Sequence, residues 1–138
     1  MLLQLPPNLP AAPDRLEETL AAFGGRCRVA VEFRHPSWLT DDVLALLDRS
    51  RSAFVLADRP GARVDQVVTG GWSYLRFHQG TITGPGYRRA KLRVWADRIA
   101  ALVAKDVFAY FNNDTEAAAP YDAMVLRSLL EDRGVRVA

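Results

Sequence analysis

Cysteine occurs once in this chain, at Cys27, and a single thiol rules out any internal disulfide. A chain without such a staple suits a reducing compartment. Cys27 leads into a buried run with no nucleophile motif around it, and is expected to be a small apolar filler. Lysine is scarce as well: of 18 basic residues only Lys91 and Lys105 are lysines. The positive charge is therefore almost all guanidinium, suited to planar contacts with carboxylates and phosphates. Histidine is limited to His35 and His78, in neither an HxH nor an HExxH pattern, which removes the familiar histidine-based zinc signatures. No apolar run approaches the length of a membrane span, so no membrane partner is expected. The first seven residues lack a basic start and a long apolar centre, so they do not read as a signal peptide, and the expected location is cytoplasmic. A formal net charge of only +2 sets up no strong field, and this composition neither demands nor excludes nucleic acid.

At 138 residues, 49% of them hydrophobic and 25% charged, the chain is one domain long and rich enough in apolar residues to bury a core. Five strand-length apolar runs stand out, at Leu2–Leu5, Val29–Phe33, Ala53–Ala57, Tyr74–Phe77 and Val107–Phe111. Helical patterns separate most of them. Pro13 opens a helix with Leu16, Leu20 and Phe23 on one side and Gly24-Gly25 as its stop. Thr40 is placed to cap a second helix whose apolar stripe is Val43, Leu44 and Leu47. Arg88 to Lys105 carries Leu92, Trp95, Ile99, Leu102 and Val103 at helical spacing. A last helix from Pro120 to Arg133 is expected to bury Tyr121, Met124, Val125 and Leu129. Asp58 to Gly71 has no clear period and reads as a loop. Such alternation predicts an α/β fold with a parallel sheet covered by helices.

The most informative stretch is VAVEFRHPSW, Val29 to Trp38, where a buried run turns abruptly polar. Glu32 and Arg34 are two apart on an extended chain, so they share a face about 7 Å apart. The layout recurs: YLRFHQG puts Arg76 and His78 on one face, and VFAYFNND ends in Asn112 and Asn113. With Gln4 and Asp58 added, every polar group stands at the carboxyl end of its run. In parallel α/β folds that edge is where adjoining strands gather a site.

With these pieces in hand the chain resembles the YecE-like family, domain of unknown function seventy-two. LLQLPP, VEFRHPSW, the FVLAD strand ending in Asp58, YLRFHQG and AYFNND match in order and spacing over nearly the whole chain. The resemblance implies a TIM barrel of eight strands, of which this chain holds the last five: a parallel-stranded partial TIM barrel in one domain, residues 1–138. Two departures stand out. HQG replaces a glycine directly after the histidine, and TEAAAPYDA follows FNND where a glycine and an asparagine are common. An opened barrel exposes two strand edges, so a homodimer or a partner chain is expected to cover them. Met1 falls where a strand begins, which favours an internal start or a gene break over a designed boundary.

The candidate site follows from the strand ends. Arg34, His35, Arg76, Asn112 and Asn113 are the expected ligand-binding residues, the arginines clamping the oxygens of a small phosphate-bearing or other anionic ligand. Glu32, His78 and Asp58 are the expected catalytic group for a hydrolytic step, with a histidine as general acid or base. His35 precedes Pro36 and has a second reading as a residue that shapes the turn. The whole set has a bland reading too, a salt-bridged polar layer without turnover. Two other classes compete. A metal-dependent hydrolase would use Glu32, His78 and Asp58 as ligands. A non-catalytic nucleic-acid-binding protein would use Arg88, Arg89 and Lys91, although these begin an amphipathic helix where charge normally faces water. Trp38 and Trp95 read as core and Trp72 as a loop anchor. Thr81 to Tyr87 reads either as a lid over the strand ends or as a plain connection. No cofactor is expected.

Overall fold

The computed structural model of the chain describes residues 1–58, 67–78, 84 and 86–138. Along these the order is β1 (Leu2–Gln4), α1 (Pro13–Phe23), β2 (Ala30–Glu32), α2 (Asp41–Arg49), β3 (Ala53–Asp58), β4 (Ser73–Phe77), α3 (Arg89–Ala100), β5 (Val107–Phe111) and α4 (Ala118–Glu131). The strands form one parallel sheet in sequence order, β1 to β5. Leu2 faces Ala30 across the first pair and Ala30 faces Ala53 across the second. Most of the expected Asp58–Gly71 loop and of the Thr81–Tyr87 connection lies outside the described residues. Among the described residues no helix is long and apolar enough to cross a membrane.

Two compact units make up the chain. The first holds Met1–Leu56, Val67–Tyr74 and Ala104–Phe108, and the second the described residues of Ala57–Gln66, Leu75–Val103 and Ala109–Ala138.

In the first unit, α1 starts on Pro13, whose fixed φ is already helical, and ends on Gly24 in the left-handed region at φ 56°. Thr40 caps α2, its Oγ1 accepting the Val43 N–H at 3.4 Å. α2 buries Val43, Leu46 and Leu47, so its stripe includes Leu46 where Leu44 was expected. Trp38 is core: its ring stacks on Phe33 with centroids 5.1 Å apart, and its Nε1 donates to the Leu9 carbonyl. Trp72 anchors its turn by donating Nε1–H to the Arg51 carbonyl at 3.1 Å. Gly70, at φ +65°, must be glycine: a Cβ there would lie 2.5 Å from the Arg51 carbonyl carbon. Cys27 is exposed rather than a filler, because β2 does not begin until Ala30.

The second unit is built around Phe77, which stacks on Phe111 (4.4 Å between centroids) and meets Tyr87 and Trp95 edge-on. α3 buries Leu92, Trp95, Ala96 and Ile99 but stops at Ala100. Val103, expected on that stripe, is 92% exposed because the helical period no longer governs it. α4 is turned relative to expectation. Tyr121 and Met124 are 68% and 71% exposed, while Asp122, Leu126, Leu129 and Leu130 face inward. The carboxylate of Asp122 decides that phase, as described below.

α4 is entered through Glu116 and Ala117, both at φ 57°. Left-handed backbone costs an L-residue about 1–2 kcal/mol, and neither position is a glycine. Replacing Ala117 by glycine is expected to stabilise the protein by about 1 kcal/mol, read as a higher urea midpoint at unchanged slope. An unchanged or lower midpoint would mean the turn is not strained.

Candidate functional site

In the first unit the polar end of β2 is a small network. Glu32 is the last residue of a strand flanked on both sides, and it is 1% exposed. Register places Gln4 opposite it. Arg34, two residues on, donates from Nε to Glu32 Oε1 at 3.2 Å and from Nη2 to Gln4 Oε1 at 3.1 Å. A buried carboxylate with no cation would cost several kcal/mol, so Arg34 offsets the charge and is itself aimed by two acceptors. Gln4 therefore belongs to this group. His35 has extended backbone ahead of Pro36, as a residue before proline must. Its Nδ1 accepts the Ser37 N–H at 3.2 Å and lies 2.7 Å from Ser37 Oγ. The ring thus caps the short turn Pro36–Trp38.

In the second unit β4 alternates cleanly. Leu75 and Phe77 are buried, while Arg76 within the strand and His78 just beyond it take the other face and are half-buried. Asn112 is placed by the sheet, its N–H donating to the Phe77 carbonyl at 2.8 Å. Its Oδ1 accepts the Arg76 Nε–H at 2.8 Å, which fixes the plane of the guanidinium. The next residue, Asn113, is buried and serves a different end. Its Nδ2 donates to Asp122 Oδ2 at 2.7 Å, and the same oxygen accepts the Tyr87 N–H at 2.8 Å. Asp58, at the end of β3, pairs with Lys91 at 2.8 Å, and the Lys91 ammonium sits 4.7 Å from the centre of the Tyr87 ring.

Two residues that matter here stood outside the expected strand-end site, Lys91 having been named only for the nucleic-acid alternative. Asp122 is 1% exposed and joins the β5 end to the backbone at Tyr87. The available hint was that Asp122 falls in the first turn of the helix expected from Pro120, where the macrodipole favours an acid. The observed helix begins at Ala118 and places it beyond that turn. Lys91 was expected to face water and instead holds Asp58. Among the described residues no group of three His, Cys, Asp or Glu side chains gathers to hold a metal ion. Asp58 is turned to Lys91 and Glu32 to Arg34, which makes ion pairs of two of the three ligands the metal alternative needs.

A parallel five-stranded α/β sheet with polar strand ends defines a class, and comparison supplies the family. The model described as "Protein of unknown function DUF72" matches residues 1–137, and the chain belongs to that family. The chain is similar to a DUF72 family protein of Thermotoga maritima, with TM-score 0.82 and 23% identity over 94% of this chain and 56% of that one. A DUF72 family protein of Enterococcus faecalis gives TM-score 0.82 and 17% identity over 95% of this chain and 58% of that one. The chain thus spans less than two thirds of the length of the structures it matches. Its fold is the parallel-stranded partial TIM barrel of five strands. No curated protein matches it.

Replacing Asp122 by alanine would leave the Asn113 amide and the Tyr87 N–H without their acceptor, at a cost of about 2–4 kcal/mol. Denaturant unfolding should show that loss, with Asp122→Asn losing less because it keeps an acceptor oxygen. A loss below about 1 kcal/mol in the alanine variant would show that the carboxylate anchors nothing.

Proposed function

We propose that the carboxyl ends of the strands bind a small anionic ligand, a phosphate ester or similar oxyanion, with Arg76 as the principal cation. The observation that carries this is the guanidinium of Arg76 held at the end of β4 by Asn112 Oδ1 at 2.8 Å. A guanidinium aimed beforehand loses little freedom on meeting an oxyanion and offers it a planar pair of donors. Asn112 is the positioning residue. Asn113, tied to Asp122, keeps the β5 turn in place beside it. Arg34, aimed by Glu32 and Gln4, gives the first unit a cation of the same kind at the end of β2.

A hydrolytic step needs a base, and the carboxylates of Glu32 and Asp58 are each engaged by a cation. His78 is the remaining member of the expected catalytic group. Binding of a nucleic-acid backbone by Arg88, Arg89 and Lys91 is less well supported, since Lys91 is held by Asp58 and Tyr87.

Calorimetric titration with phenyl phosphate tests the proposal. Wild type is expected to bind, and Arg76→Ala to lose at least tenfold in affinity, the loss of a charge-assisted hydrogen bond of about 1.5–3 kcal/mol. Asn112→Ala should lose less, with the same stoichiometry. Equal affinity in wild type and Arg76→Ala would refute it.

The strand edges support a second proposal, that two copies of the chain associate. β5 ends the strand order, and its Phe108 and Tyr110 are exposed. An apolar edge strand left open invites pairing with another strand. Sedimentation velocity should show a dimer. A single monomeric boundary at all concentrations would contradict it.

A further inference from the structure

We propose that the first unit carries a separate anion site, at the amino ends of its strands, built for a small oligophosphate. A cavity of about 640 Å³ opens there, between the end of α1 and the starts of β2 to β5. That volume is typical of small-molecule sites, about 300–1,000 Å³. Four cationic side chains line it, Arg26, Arg28, Arg51 and Lys105, against the single carboxylate of Asp106. Asp106 is already committed to Arg28 at 2.7 Å. Arg26 is turned to the Phe23 and Ala22 carbonyls at the end of α1. The side chains of Arg51 and Lys105 have no ion-pair or hydrogen-bond partner among the described residues. Like charges gathered on a concave wall repel one another until a counter-anion enters, and the concavity concentrates their field. One phosphate neutralises at most two of them, so the excess matches an anion of three or more charges.

The wall is fixed in advance. Thr69 Oγ1 donates to the Ser52 carbonyl at 2.7 Å and accepts the Phe54 N–H at 2.8 Å. Gly70 packs against the Arg51 backbone at a distance no other residue allows, and Trp72 donates to the Arg51 carbonyl. Arg51 itself is the telling residue. It sits at φ 55°, where glycine is relaxed and an L-residue is not. A long cation kept in a backbone position that disfavours it, at the rim of a cavity, indicates that its side chain is used.

Titration of the full chain with inorganic tripolyphosphate at low ionic strength tests this. Wild type should bind it at one tight site, beyond any weaker binding at the Arg76 clamp, and that tight site should weaken as salt rises. An Arg51→Gly, Lys105→Ala double variant should melt no earlier than wild type, because glycine accepts the left-handed backbone, and should lose at least tenfold in affinity. If it melts early, Lys105→Glu alone, at an exposed position, carries the same tenfold threshold. The double variant should bind phenyl phosphate, the ligand of the Arg76 site, within twofold of wild type. No binding by wild type, or a loss under tenfold, overturns the proposal. If Arg76→Ala abolishes binding and the double variant does not, the anion sits at the carboxyl ends, and this cavity is refuted while the preceding proposal stands. If phenyl phosphate fails to bind but tripolyphosphate passes, the reverse holds.

Discussion

A carboxylate taken out of water has to be matched, and two such carboxylates organise the strand ends of this protein. Glu32 and Asp122 are each 1% exposed. An unmatched buried charge costs several kcal/mol, a large share of a domain's net stability. In the first unit the match for Glu32 is Arg34, and making it also aims Arg34 at Gln4. In the second, Asp122 accepts from Asn113 and from the Tyr87 backbone, which joins the end of β5 to the residues that lead into α3. In each unit, satisfying the acid sets the geometry of the neighbouring polar groups. The same contacts serve stability and site construction, so loss of stability and loss of binding must be measured separately in any variant of these residues.

The strand ends and strand starts differ in how charge is handled. At the carboxyl ends the charged groups are held by fixed partners, Lys91 by the carboxylate of Asp58 and Arg76 by the neutral amide of Asn112. At the amino ends of the first unit positive charge is in excess, with one aspartate among four cations. Neutralised pairs give orientation, whereas uncompensated charge gives attraction over a distance of about a Debye length, ~10 Å in moderate salt. A guanidinium whose plane is already fixed selects for geometry; an excess of positive charge on a wall selects for charge.

The strands were legible because each is a short apolar run closed by polar or turn residues, and β5 was read with its observed bounds. Glu32 with Arg34 was legible too, since a spacing of two on extended chain forces a shared face. The failures have specific causes. α4 was phased by its large apolar residues, yet Tyr121 and Met124 face solvent because two hydrogen bonds to Asp122 outweigh the burial of an aromatic and a thioether. Val103 kept a helical spacing past the point where α3 stops. The pairs Asp58 with Lys91 and Asn113 with Asp122 join residues far apart in sequence or on different elements, and no local pattern announces them. The left-handed backbone of Glu116 and Ala117 was not legible either, since neither residue type favours it.

The central claim, that an oxyanion is gripped at the carboxyl ends of the strands, is tested most directly by following arginine Nε–H resonances in a ¹⁵N-labelled sample as phenyl phosphate is added. The Arg76 resonance is expected to move in a saturable way, with Asn112 side-chain signals following it. If Arg76 stays still while only the Arg28 and Arg51 signals respond, or if none responds, the carboxyl ends of the strands are not where this protein binds anions.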